Sequence, residues 1–396
     1  MTAPKAVHTR ALSLRYAAFY GALFLTLGVY LPFWPVFLKS RGLDAAEIGL
    51  LFALLFWTKV VTTPAIAQIA DRSGRAKATL VIAAALSLLF FTGLIGAQGF
   101  WPILLIMLPA AACHQALNPI ADSQTMTAVR ERGLDYGRIR LWGSLTFILG
   151  TLGAGRLLTG READLLLWLI LAALGVTVLA ALALPDRRAR APAPEAGRPR
   201  LLALLGQRRF LLFLAAASLL QASHAVYYAF SALHWKAAGL SETTIGWLWA
   251  EGVVAEILLF AVSGAVIARL GPPALLVLAG LGGILRWCVL GASVALPAIA
   301  AVQLLHALTF GAAYLGAMHF IARAAPPGLS ATAQSLYAAV SGGIAMGLAM
   351  LLSGALYAEF AGGAFFFMAG LSAGGLLLAA VLWRGRASAS AKSGCA

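Results

Sequence analysis

Residues 39–51 read KSRGLDAAEIGLL and residues 236–248 read KAAGLSETTIGWL. The two stretches share K-x-x-G-L-x-x-x-x-I-G-x-L at a constant offset of 197 positions (39 to 236). Extended without a gap, the same offset pairs Tyr30 with Tyr227, Phe33 with Phe230, Arg72 with Arg269 and Gly74 with Gly271. Two halves therefore descend from one unit, and the G-L-x-x-x-x-I-G core marks a tight turn followed by the close-packed start of a helix.

Composition identifies the solvent. The chain of 396 residues is 61% hydrophobic and 11% charged, against roughly 45–50% and 25% in soluble domains. Apolar runs long enough to cross a hydrocarbon core, which takes about 20 helical residues, recur from end to end. About twelve are expected, near 12–38, 45–70, 77–97, 100–127, 137–158, 163–184, 209–235, 242–267, 273–293, 296–322, 330–357 and 361–383. The first carries no small-residue cleavage site and reads as an uncleaved span. The segment DRRARAPAPEAGRPR at 186–200 is polar and rich in Pro and Arg. It reads as a linker, giving an N-terminal bundle at 1–185, a linker at 186–208 and a C-terminal bundle at 209–396.

The net charge of +15 invites a nucleic-acid reading, which its distribution excludes. With the N-terminus inside, the outer loops hold Lys39, Arg41, Arg156, Arg161 and Lys236, and Lys59 and Arg286 lie within spans. The other 22 of the 29 Lys and Arg fall on the inner side. That asymmetry follows the positive-inside rule and places both termini in the cytoplasm. Cys113, Cys288 and Cys395 offer neither a disulfide framework nor metal-ligand spacing, and no cofactor is expected. Nucleophile elbow, phosphate loop and metal-binding motifs are absent as well, so an enzyme is not expected.

Between the second and third spans, AQIADRSGRAK at 67–77 resembles the G-x-L-A-D-R-x-G-R-K loop of the major facilitator superfamily, with Ala67 in place of the first glycine. In its second copy, GAVIARLG at 264–271, Ala268 stands where Asp71 would be. Gly74 permits the turn, Asp71 caps a neighbouring helix or pairs with an arginine, and Arg72 and Arg75 anchor at an anionic leaflet. Together these four suit gating, with a merely solvated charged turn as the alternative. YLPFWPVFLK at 30–39, LDYGRIRLWGS at 134–144 and the spacing of Arg286 and His306 are similar to the lactose permease branch. LLQASHAVYYAFSALHWKAAG at 219–239, WAEGVVAE at 249–256 and ILRW at 284–287 most resemble bacterial phenylpropionate permeases. The resemblance implies an all-α membrane protein with two six-helix bundles and a substrate site at the interface of the halves, near the membrane midplane.

Ionisable residues within spans are expensive and mark function by default, with structural pairing as the competing reading. By resemblance, Arg140 binds substrate and Asp122 orients it, a hairpin of spans 4 and 5 bringing them together. An ion pair that only fixes packing is the alternative. Lys59 either receives a substrate carboxylate or neutralises a buried acid. His224 bonds substrate or a carbonyl of a neighbouring helix, beside Tyr227. Arg286 and His306 correspond to the proton-coupling arginine and histidine of lactose permeases. Thr309 and Gln303 replace that family's titrating glutamate and lysine, so Glu256 becomes the candidate proton carrier, with Glu251 second. A permanent Glu256–Arg286 pair is the alternative. Phe33, Trp34, Phe147, Trp249 and Trp287 either wall a substrate ring or pack.

Lys59, Arg140 and Arg286 balance Asp122, Glu251 and Glu256 only when every acid is ionised, and a surplus buried charge is costly. A monoanion entering with a proton relieves it. The expected function is thus proton-coupled import of an aromatic monocarboxylate such as a 3-phenylpropionate-like acid, by a monomer whose partners are substrate, protons and lipid. Proton symport of a sugar or nucleoside, and efflux, remain alternatives. LWGSLTFILGTLGAG at 141–155 has no proline, unlike the span-5 signature of drug efflux pumps, which favours import.

Overall fold

In the computed structural model, residues 3–186, 204–326 and 329–393 are described, and all regular secondary structure among them is helical. The helices are α1 (Ala3–Ser40), α2 (Ala45–Ser73), α3 (Ala76–Thr92), α4 (Phe100–Arg132), α5 (Tyr136–Leu158) and α6 (Asp164–Ala183). In the second half, α7 (Arg208–Ala222, then Ala225–Ala237), α8 (Glu242–Ala261, then Ser263–Leu270) and α9 (Pro272–Ala292) are followed by three more. These are α10 (Leu296–Gln303, a π turn at Ala307–Ala312, Ala313–Ala324), α11 (Ser330–Ala339, a π turn at Val340–Ala345, Met346–Phe360) and α12 (Ala364–Ser393).

Among the described residues ten helical segments are long and apolar enough to cross a membrane. The last of them, Thr332–Arg384, breaks between α11 and α12 at Ala361, whose φ of +45° is strained for a residue with a Cβ. With the 17-residue apolar α3, twelve helices stand among the described residues where twelve spans were expected. Large apolar side chains such as Val61, Leu105, Leu179 and Leu377 point outward, the placement that lipid favours and water does not. Residues 187–203 of the expected linker lie outside the described residues.

The repeated stretch encodes one local device twice. Gly42 and Gly239 both have φ +90°, and their N–H groups donate to Lys39 O and Lys236 O. Leu43 and Leu240 close the turn onto Leu38 O and Trp235 O, a glycine-dependent helix stop. The next helix then starts on a cap at the same offset. Asp44 accepts from Glu47 N at 2.8 Å, and Ser241 accepts from Thr244 N at 3.2 Å.

Two compact units divide the chain: Met1–Ala193 with Trp235–Ala250, and Pro194–His234 with Glu251–Ala396. In the first, α1 packs on α5 and α6, and α4 on α2 and α3. Backbones approach closely where α1 crosses α5: a Cβ on Gly28 would lie 2.2 Å from Phe147 O, and one on Gly150 2.8 Å from Leu25 O. Thr151 Oγ1 donates to the freed Gly28 carbonyl at 3.0 Å. Small residues at such crossings give lipid-embedded helices their packing contact. Residues 235–250 join this unit because Gly246 abuts Thr151 O, Gly155 abuts Glu242 O and Thr159 bonds Thr243 at 2.8 Å. In the second unit, α9 packs on α12 and α10, and α12 on the first part of α7, around a core that includes Phe210, Phe213 and Phe320.

Candidate functional site

In the second unit a polar chain runs through the apolar interior. Arg286 on α9 is fully buried. Its Nη1 donates to Thr309 Oγ1 at 2.9 Å and to His306 Nδ1 at 3.1 Å, and its Nη2 donates to Gln303 Oε1 at 2.8 Å. Gln303 in turn donates to Tyr227 Oη at 3.0 Å. The rings of Tyr227 and Trp287 lie 4.5 and 4.7 Å from the guanidinium carbon, where cation–π attraction offsets lost hydration. A guanidinium only donates, so His306 Nδ1 is the lone-pair nitrogen and the ring hydrogen sits on Nε2. That Nε2 faces Glu256 Oε2 at 3.5 Å.

Glu256, His306, Arg286, Gln303 and Tyr227 are thus brought into one cluster, with the contact between Glu256 and Arg286 relayed by His306. Gln303 and Thr309 both bond Arg286 directly, a role the sequence did not suggest. The π turn beginning at Ala307 lies against this cluster, a local geometry that recurs at functional sites. Glu251 is half-buried on α8. His224 differs from expectation: its Nδ1 lies 3.2 Å from Leu220 O and Gln221 O of its own helix rather than a neighbour's. Because carbonyls only accept, Nδ1 carries the hydrogen, and the buried Nε2 is without a partner among the described residues.

In the first unit, Asp122 on α4 accepts from Tyr20 Oη at 2.5 Å, Tyr136 Oη at 2.9 Å and Asn118 Nδ2 at 3.2 Å. The guanidinium of Arg140 lies over the Phe24 ring at 3.8 Å and the Tyr20 ring at 5.6 Å. The expected pairing of Asp122 with Arg140 is corrected here, since no ion pair joins them. The reason is topological, because α5 packs along α1 and touches α4 little, so Tyr20 of α1 stands between the two groups, bonded to Asp122 and facing Arg140. Tyr20, Phe24 and Tyr136 were missed from sequence, although Tyr20 and Phe24 stand one helical turn apart on α1. Lys59 is exposed on α2 and pairs with no acid among the described residues, which sets aside its charge-neutralising reading. Phe33 and Trp34 are packed in the interior of the unit.

At the turn after α2, Gly74 takes the left-handed conformation with φ 63° and donates to Asp71 O. Asp71, Arg72 and Arg75 are exposed. The expected cap or ion pair of Asp71 is not formed among the described residues: Arg75, at the N-cap position of α3, makes no side-chain cap, and the Gly74 turn closes the end of α2 through the Asp71 carbonyl instead of its side chain. Among the described residues no cluster of metal-ligating side chains occurs.

The MFS_1 like family model matches residues 13–369. The chain is 34% identical over 365 residues to the "Probable 3-phenylpropionic acid transporter" of Escherichia coli (strain K12), covering 91% of this chain and 94% of that one. It is 28% identical over 347 residues to a maltose permease of Geobacillus stearothermophilus, covering 86% of each. The crystal structure of the nucleoside transporter NupG superposes with a TM-score of 0.82 at 17% identity, over 94% of this chain and 98% of that one. That likeness establishes the shared fold. The chain belongs to the MFS_1-like family of major facilitator secondary transporters, a multi-pass membrane protein and not an enzyme.

Proposed function

We propose that the protein imports an aromatic monocarboxylate of the 3-phenylpropionate kind together with a proton, across a bacterial inner membrane with both termini in the cytoplasm. The observation that carries the substrate reading is Arg140. Its guanidinium rests on the faces of Phe24 and Tyr20, while the acid nearby, Asp122, is satisfied by two phenols. An arginine within a span with no carboxylate against it suits an incoming one, which its planar fork binds bidentately, and the adjacent ring faces suit an aryl group. The relative at 34% identity points to the same substrate class, and the exposed Lys59 supplies a second cation in the same unit. Proton coupling rests on Glu256, which meets His306 next to the buried Arg286.

A binding screen of the purified protein against aromatic acids, sugars and nucleosides tests the reading. Selective, proton-dependent binding of 3-phenylpropionate-like acids is the expected result. A response to a neutral glycoside or nucleoside alone would sink it and leave the transporter family intact.

A further inference from the structure

We infer that α4 carries a face that reads hydroxyl groups: Gln115 and Asn118 accept a hydrogen bond from a donor on the aryl ring of the transported acid. This rests on the aromatic-acid reading above. Gln115 Nε2 lies 3.4 Å from Leu55 O across the α2–α4 seam. A carbonyl only accepts, so the amide orientation is settled and Oε1 is the remaining atom. Asn118 Nδ2 donates to Asp122 Oδ2 at 3.2 Å, and since the carboxylate accepts, Oδ1 is again left over. Both oxygens are buried without a partner, as is Nε2 of the adjacent His114.

Residues 115 and 118 stand three apart and share a helix face with Asp122. Through Asp122 and Tyr20 this face connects to Arg140. A cation and the Asn118 acceptor oxygen therefore sit at the two ends of one connected set of side chains, with Gln115 one helical turn before Asn118. Buried acceptors left without a donor are destabilising, and the two oxygens answer only to an O–H or N–H. A ring hydroxyl supplies that donor. A methyl ether at the same position brings no donor and leaves both oxygens unpaired. Sites built around such acceptors reject analogues lacking the donor.

The test measures Kd of the full-length purified protein for 3-phenylpropionate, for its three ring-hydroxylated isomers and for the matching methoxy compounds. At least one hydroxylated isomer should bind about tenfold or more tightly than both the parent acid and its methoxy counterpart. In Gln115→Met and Asn118→Leu that ratio should fall towards one. Equal affinity for hydroxylated, methoxylated and parent acids overturns the inference alone, as does a preference that survives both substitutions. Should either variant fail to fold, the wild-type comparison of hydroxyl with methoxyl decides by itself. Failure of every aromatic acid to bind overturns the aromatic-acid reading and this one together.

Discussion

Glu256 Oε2 lies 3.5 Å from Nε2 of His306, the ring whose other nitrogen accepts from Arg286 at 3.1 Å. A carboxylate, an imidazole and a guanidinium thus form a continuous path in a setting otherwise filled by Tyr227, Trp287 and Phe310. Protonating Glu256 removes a negative charge that one imidazole separates from the buried arginine, so the free energy of the cluster depends on the proton.

Glu256→Gln keeps the shape of the side chain and abolishes its charge change. Uptake against a gradient, which should rise as the outside is made more acidic than the inside, is expected to vanish, while exchange of labelled for unlabelled substrate persists in part. Proteoliposomes with an imposed pH difference provide the measurement. Uphill accumulation that survives in Glu256→Gln and disappears in Glu251→Gln would reassign the carrier to Glu251.

Arg140→Ala removes the fork over Phe24 and Tyr20 and should weaken binding of 3-phenylpropionate roughly 10- to 100-fold, the size of a charge-assisted hydrogen-bonded contact. Arg140→Lys retains the charge and loses the bidentate geometry, so an intermediate Kd is expected. Titration calorimetry of the three proteins distinguishes this from a packing role, in which Lys and Ala would leave Kd alike.

Gly28→Ala places a Cβ 2.2 Å from Phe147 O, which forces α1 and α5 apart. A loss of about 1–3 kcal/mol is expected for such overpacking, seen as a lower melting temperature in detergent. Gly153→Ala on the same α5 meets nothing within 4 Å and serves as the control, expected to be neutral or slightly stabilising.

Reporter tags at residue 195 and at the C-terminus should be accessible only from the cytoplasm, given the 22 basic residues assigned to that side. Periplasmic labelling of either tag contradicts the orientation.

Span number, the repeat and the tight turns were legible in the sequence because each depends on local chemistry. An apolar run of sufficient length has to satisfy its backbone as a helix in lipid. Gly42 with Asp44 and Gly239 with Ser241 end one helix and begin the next through bonds reaching no further than a few residues. The intramembrane acids and bases were legible for the same reason, since each stands out against an apolar span. What they touch was decided only by tertiary structure. Helices that are apolar all round have no polar face from which to read their neighbours. The order of α4, α1 and α5 follows from where glycines let backbones meet, as Gly28 does with Phe147. That order delivered Asp122 to Tyr20 and Tyr136 instead of Arg140. Packing in the second unit likewise enclosed Arg286 among Gln303, His306 and Thr309, because a charge withdrawn from water takes whichever acceptors the packed helices carry to it.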